Sequence, residues 1–239
     1  MKIIILQHIK IEDPGYIKDL MIKDNCELTT IELDEGDKIP HNLSNFDGMF
    51  CMGGPMDTWM EKDYPWLKEE KKKINEFVVN LEKPFIGFCL GCQFLGEVVG
   101  GEVVKSSPPE IGILDIDMKD KRGEDQLFSS FPKVFKALQW HSYEVASLED
   151  QEHVTLLASS PSTKYQVFKY KNHAYGIQFH IEIKSNTVSD WGCIPAYKNA
   201  LEESLGSGAL EKFEKIAKDN MKDMNTFATL LYKNFCELM

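Results

Sequence analysis

The sequence predicts an α/β fold built on a central, mostly parallel sheet, with extra helices at its C-terminal end. Three observations lead there. The chain opens on four consecutive aliphatics, Ile3-Ile4-Ile5-Leu6, three of them β-branched. That pattern suits a strand covered on both faces, as in a parallel sheet. Strand and helix patterns then alternate through the first hundred residues, the rhythm of right-handed crossovers. Finally, a short apolar strand, Phe85–Phe88, breaks at once into a Gly-rich turn and a helix.

The first strand covers Lys2–Gln7. Pro14-Gly15 marks a turn, and Tyr16–Lys23 reads as a helix. Cys26–Leu33 and Phe46–Met52 are the next strands, the latter ending at Gly53-Gly54-Pro55. Pro65–Leu81 reads as a helix because Trp66, Leu67, Ile74, Phe77, Val78 and Leu81 keep helical spacing, while Glu69–Lys73 supply a solvated charged face. After Phe85–Phe88 a helix is expected over Gln93–Val99. From Gly101 the pattern shifts to shorter strands at Glu102–Lys105, Ile113–Met118, Phe135–Gln139 and Val154–Ala158. Tyr165–Tyr170 and Ala174–Phe179 read as a hairpin around Lys171-Asn172-His173. Two helices close the chain, Thr187–Leu205 and Ala209–Phe235. The second carries an apolar stripe from Leu210 and Phe213 through Ile216 to Leu231 and Phe235, read as packing on the protein's own core, with a partner-binding helix as the alternative. Gly206-Ser207-Gly208 is too short for a domain linker, so residues 1–239 read as one domain.

The 239 residues are 43% apolar and 27% charged, ordinary for a globular protein. With 27 Lys and Arg against 38 Asp and Glu, the net charge of −11 argues against nucleic-acid and anionic-membrane partners. The first apolar run is too short for a bilayer span or a signal-peptide core, so a cytoplasmic protein is expected. Its six cysteines then read as reduced thiols.

The strongest chemical signal is Gly87-Phe88-Cys89-Leu90-Gly91. A nucleophile flanked by glycines two residues away, after a strand and before a helix, has the pattern of a nucleophile elbow. The tight turn strains the nucleophile's backbone, and the glycines remove side chains that would clash there. The following helix directs its N-terminus at the thiol, favouring thiolate, and the Leu90 N–H is free to stabilise an oxyanion. Cys89-x-x-Cys92 could instead be redox-active or inert. No second such pair and no paired histidines complete a zinc site, and no metal or cofactor is expected. Of the six histidines, His41, His153 and His173 sit in polar loops and read as surface residues. His8 follows the first strand at the same sheet edge as Cys89 and could line the site. His180 ends the last apolar strand with Glu182 two residues on. In extended chain these two project to one face, so the carboxylate can fix the imidazole tautomer while the ring faces the thiol. Gly53-Gly54-Pro55 falls at the carboxyl end of a neighbouring strand, where a free N–H could be a second oxyanion donor.

Three ordered blocks, Gly53-Gly54-Pro55, Gly87-Phe88-Cys89-Leu90-Gly91-Cys92-Gln93 and Gly176-Ile177-Gln178-Phe179-His180-Ile181-Glu182, resemble the class I, triad-type glutamine amidotransferases. Trp140-His141-Ser142 resembles a fourth block of that family. Asp190-Trp191 and the C-terminal helices look like its stand-alone, GMP-synthase-like members and the plant γ-glutamyl peptidases. The resemblance implies a flavodoxin-like three-layer α/β/α sandwich and hydrolysis of a γ-glutamyl amide. It implies a triad of Cys89, His180 and Glu182 and an oxyanion hole of the Gly54 and Leu90 N–H groups. It further implies contacts to the substrate's amino-acid end from Gly53, Gln93, Ser142 and Tyr143. The family commonly reads His-Pro-Glu where this chain has Ile181, a change expected to do little harm. Cys92 stands where many relatives lack a thiol, and a reversible Cys89–Cys92 disulfide would silence the enzyme.

No ATP-pyrophosphatase domain and no Gly-x-x-x-x-Gly-Lys-Ser/Thr loop follows. The expectation is a stand-alone hydrolase of glutamine or γ-glutamyl compounds. One alternative is a glutaminase that supplies ammonia to a synthase subunit on a separate chain. Another is a non-catalytic ligand sensor, against which the intact triad argues.

Overall fold

Alternation along the first strand sets the layers. In β1 (Lys2–Gln7), Ile3 and Ile5 point to one apolar core, Ile4 and Leu6 to another, and all four are fully buried. A strand buried on both faces needs a helix layer on each side. The computed structural model describes the backbone of residues 1–239 and every side chain except Lys121 and Arg122.

Five strands form the parallel half of the sheet: β2 (Glu27–Glu32), β1, β3 (Gly48–Cys51), β4 (Phe85–Phe88) and β9 (Ala174–Ile177), in that order. This is the flavodoxin-like arrangement, in which ligands gather beyond the carboxyl ends of the strands. The sheet continues antiparallel through β8 (Val167–Tyr170), β7 (Val154–Ser159), β5 (Glu102–Met118) and β6 (Val134–Ala146). Helices α1 (Gly15–Lys23) and α6 (Ala209–Cys236) cover the face of Ile3, Phe50 and Phe88; α2 (Leu67–Asn75) and α3 (Leu90–Val98) cover that of Ile4, Met49 and Phe85. Two short helices, α4 (Thr187–Trp191) and α5 (Pro195–Leu205), precede α6.

The structure revises several boundaries. The Pro65–Leu81 helix is α2 followed by a π-helical turn, Glu76–Asn80. α3 begins at Leu90 rather than Gln93, so Cys89 is its N-cap. The two strands expected at Glu102–Lys105 and Ile113–Met118 are one strand, β5, whose register shifts between Lys105 and Glu110. Pro108 and Pro109 lie in that gap; proline has no N–H for the ladder, which made the strand look broken. Likewise Phe135–Gln139 extends to Val134–Ala146, pairing with β5 on both sides of that gap. The helix expected over Thr187–Leu205 is split at Gly192–Ile194. Pro195 can only start a helix there, and a side chain at Gly192 would meet Leu210 at 2.4 Å. α6 buries Phe213, Ala217, Met224, Leu231 and Phe235 against the sheet, while Ile216 stays 39% exposed. Finally, His173 is half-buried rather than superficial, its Nε2 donating to the Val78 carbonyl at 2.9 Å.

Candidate active site

Four adjacent parallel strands end in register, pairing Leu6 with Cys51, Cys51 with Gly87 and Phe88 with Ile177. The residues that follow them, His8, Gly53-Gly54, Cys89 and His180, therefore converge on one edge.

Cys89 occupies a strained backbone conformation, φ 49° and ψ −102°. The turn works because its flanking glycines touch backbone. A Cβ on Gly87 would lie 2.2 Å from the Gly91 carbonyl oxygen, and one on Gly91 2.2 Å from that of Cys51. The chain is pinned there by Cys89 N–H to the Ile177 carbonyl (2.9 Å) and Gly91 N–H to that of Met52 (3.1 Å). The Cys89 side chain reaches a cavity of about 200 Å³.

His180 lies beyond β9, tied to β6 by reciprocal backbone bonds with Leu138 of 2.8 and 3.1 Å. Its Nδ1 is 2.6 Å from Glu182 Oε1. The second Glu182 oxygen accepts the Ile181 N–H at 2.9 Å. Trp191 sets its ring edge-on to His180 with centroids 4.7 Å apart. Burial pulls the His180 pKa down, but the Glu182 charge foremost, with the neighbouring Cys89 and the bond to Glu182, outweighs it and holds the imidazole well above its ordinary value. A protonated ring is thus favoured beside the thiol.

The diglycine turn is equally tight. A Cβ on Gly53 would fall 2.2 Å from Glu12 Oε2, and one on Gly54 3.0 Å from Leu90 Cδ2. Gly54 and Leu90 both border the cavity, and neither donates its N–H to another group among the described residues. Gly53 does not border it. Its carbonyl accepts from His8 Nδ1 at 2.8 Å. His8 itself is fully buried beneath this turn rather than lining the cavity.

Gln93, Ser142 and Tyr143 all border the cavity. Gln93 Nε2 donates to the Tyr143 carbonyl at 3.1 Å, and His141 Nδ1 donates to the same oxygen at 3.0 Å. Glu110 backs His141 at 3.3 Å from its Nε2. The stretch of β6 carrying Ser142 and Tyr143 is therefore braced from two sides.

Several residues here left no pattern in the sequence. Glu12 is buried and accepts the Tyr197 hydroxyl from α5. Burial pushes the Glu12 carboxyl up to about 6, against the lowering effects of Tyr197, His180 and His8. Asp57 borders the cavity with its pKa raised by desolvation. Glu70 is fully buried against His8 Nε2 at 2.8 Å. These pairs are separated by 185 and 62 residues, so no local motif could announce them.

The donor atoms of His8, Cys51 and Glu70 lie within 4.8 Å of one another. They already hydrogen-bond among themselves, and burial, then the Glu70 charge, raises the Cys51 thiol well above its usual range. A neutral thiol is a poor metal ligand. Cys89 and Cys92 are both free thiols, and Cys92 is fully buried against Gly176.

Residues 16–190 match the family described as Glutamine amidotransferase class-I. The chain belongs to that family. It is 30% identical to a glutamine amidotransferase-like protein of Salmonella typhimurium, YfeJ, over 80% of this chain and 78% of that one. It is 31% identical to one subunit of the glutamine-hydrolyzing GMP synthase of Sulfurisphaera tokodaii, over 79% of this chain and 93% of the relative. Among solved structures, a glutamine amidotransferase from Thermotoga maritima superposes with a TM-score of 0.85 at 27% identity, covering 98% of both chains. The amidotransferase match excludes Glu12 and Tyr197, so that buried pair lies outside the family segment. No helix among the described residues is long and apolar enough to cross a membrane.

Proposed function

We propose that this amidotransferase hydrolyses a γ-glutamyl amide, of glutamine or of a γ-glutamyl compound, through a thioester on Cys89. The observation that carries the reading is His180, bonded through Nδ1 to Glu182 at 2.6 Å and following β9 at the sheet edge where the strained Cys89 follows β4. Cys89, His180 and Glu182 act as a triad in which the carboxylate fixes the ring and its tautomer.

The Cys89 thiolate attacks the side-chain carbonyl carbon of the substrate. The carbonyl oxygen becomes an oxyanion, held by the N–H groups of Gly54 and Leu90. The C–N bond breaks as His180 gives its proton to the departing amine, leaving a γ-glutamyl thioester. His180 next takes a proton from water, and the hydroxide oxygen attacks the thioester carbon. Glutamate leaves, and His180 is again protonated beside a Cys89 thiolate. Gln93, Ser142 and Tyr143 bind the amino-acid end of the substrate.

The isolated chain, incubated with glutamine and with γ-glutamyl dipeptides, is expected to release glutamate and the free amine. Cys89→Ala should abolish that release. Such turnover without a partner supports a stand-alone hydrolase. Similarity to the Sulfurisphaera GMP synthase chain over 93% of its length favours a second reading, a glutaminase that delivers ammonia to a synthase on a separate chain. That reading predicts negligible turnover by the chain alone.

A further inference from the structure

The diglycine turn poses a mechanical problem. Gly53 must lack a side chain, because a Cβ would sit 2.2 Å from Glu12 Oε2 and 3.4 Å from His180 Cε1. Two successive glycines, however, form the chain's least constrained kind of backbone. The peptide between them could turn with little local resistance, and its N–H would then leave the cavity. Something outside the turn must fix it.

His8 is placed to do so. The residue follows β1, and its ring is fully buried between Trp66 and Phe94, with centroids 5.7 and 5.8 Å away. Nδ1 lies 2.8 Å from the Gly53 carbonyl oxygen, and Nε2 lies 2.8 Å from Glu70 Oε1. The Gly53 carbonyl can only accept, so Nδ1 carries a hydrogen, and with Glu70 as a carboxylate Nε2 carries one too and the ring is an imidazolium. Burial lowers the His8 pKa, but Glu70 foremost, then the Gly53 carbonyl and Glu12, outweigh it and raise it above the ordinary value. Glu70 is held in turn by the Cys51 thiol at 3.5 Å and is fully buried. The only cis peptide bond among the described residues is Ser107–Pro108, so Gly53–Gly54 is trans. In a trans peptide the N–H projects opposite the carbonyl. With the Gly53 carbonyl drawn down to His8, the Gly54 N–H faces the other way. Gly54 borders the cavity together with Cys89 and Leu90, and its N–H has no partner among the described residues.

We propose that the buried His8–Glu70 pair is a positioning device that locks the Gly53–Gly54 peptide with the Gly54 N–H turned toward Cys89, so that this half of the oxyanion hole stands ready before substrate arrives. The assignment rests on the reading of Gly54 as an oxyanion donor. His8 touches neither substrate nor thiol in this scheme and acts through Gly53. A positive charge behind the carbonyl also polarises the peptide and strengthens its N–H as a donor.

Two neutral double variants separate the donor from the charge. His8→Asn with Glu70→Gln keeps an N–H near the Gly53 carbonyl; His8→Leu with Glu70→Met removes it. On glutamine, the Leu/Met variant should lose kcat by about 10²-fold, as for deletion of an oxyanion donor, with KM little changed. The Asn/Gln variant should recover most of that loss. Alkylation of Cys89 by iodoacetamide passes through no oxyanion and should proceed at wild-type rate in both. Wild-type kcat in the Leu/Met variant would overturn the proposal, as would a parallel fall in alkylation. A crystal structure of the Leu/Met variant should have the Gly53 carbonyl turned from its present direction; an unmoved peptide refutes the lock. The wild type supplies a measurement independent of any variant's folding. Its His8 ring should carry both protons at neutral pH in nitrogen-15 spectra, with a coupling across the hydrogen bond to the Gly53 carbonyl, and a neutral, uncoupled ring refutes the pair's role. If the wild type releases no ammonia from glutamine or γ-glutamyl dipeptides, the hydrolase reading fails, while the crystal structure and the spectra still decide the lock.

Discussion

The Ile181 backbone N–H donates to Glu182 Oε2 at 2.9 Å, while the other carboxylate oxygen faces His180 Nδ1 at 2.6 Å. Glu182 is thereby held at both oxygens, one by the imidazole it orients and one by its own neighbour. The His-Pro-Glu form of the motif has no N–H at the middle position to make the second bond. The departure from that form therefore adds a restraint rather than merely doing no harm. Ile181→Pro is expected to cost roughly 1.5–3 kcal/mol, the range for a hydrogen bond to a charged acceptor. Ile181→Val, which keeps the N–H, should cost about 1 kcal/mol. Urea unfolding of both variants checks the order; equal losses would mean that side-chain packing alone matters at this fully buried residue.

His180→Ala should lower glutamine hydrolysis by at least about 10³-fold, and Glu182→Gln by about 10²–10⁴-fold. A redox role for Cys89-x-x-Cys92 predicts activity that survives His180→Ala, so the same variant tests both readings. The raised His180 pKa fixes the sign of the pH dependence. The proton it holds contributes fully to stability below the unfolded value of about 6.5, and that contribution is lost as pH rises through the folded value. Activity that depends on the protonated His180 imidazole should fall on the same alkaline limb. A pH–kcat profile rising without limit toward alkali would contradict it.

Gly87→Ala should destabilise the fold by about 2–4 kcal/mol, since its Cβ would lie 2.2 Å from one backbone atom and 2.8 Å from another and neither can yield cheaply. Gly36→Ala is the matched control. Gly36 has nothing within 4 Å, and its φ of 92° alone disfavours alanine. A smaller loss at Gly87 than at Gly36, by equilibrium unfolding, would show that the elbow is not sterically tight.

Glu12 makes stability fall with rising pH. Its carboxyl is raised from 4.5 to about 6 by burial, so the folded state favours the protonated form. The favourable contribution is complete below pH 4.5, is lost as pH rises through about 6, and amounts to about 2 kcal/mol for the shift. Glu12→Gln keeps an acceptor for the Tyr197 hydroxyl and cannot ionise. Its stability should therefore gain about 2 kcal/mol on that of the wild type between pH 4.5 and 6.5. Parallel stability curves for the two proteins would contradict the assignment.

Much of the site was legible because its parts are local. The elbow needs glycines at fixed offsets from Cys89, and i, i+2 geometry brings Glu182 to His180; both constraints act within a few residues. The parallel core was legible because strands buried on both faces read as continuous apolar runs. The long antiparallel pair β5–β6 was not, since Pro108 and Pro109 interrupt the pattern and the pairing resumes beyond them in a shifted register. What holds Gly53 was not legible for a related reason. Its sequence context marks a turn at a strand end, but the direction of its carbonyl is set by His8, 45 residues away.

The sequence by itself determined the layered α/β architecture, the strained cysteine and the acid–imidazole pair beside it. Each follows from steric and periodic rules that operate over a few residues. The tertiary structure alone decided which distant groups back that site: Glu70 behind His8, Glu110 behind His141, and Tyr197 against Glu12. A buried charge is tolerated only where a partner meets it, and which partner meets it depends on how strands and helices far apart in sequence are packed together.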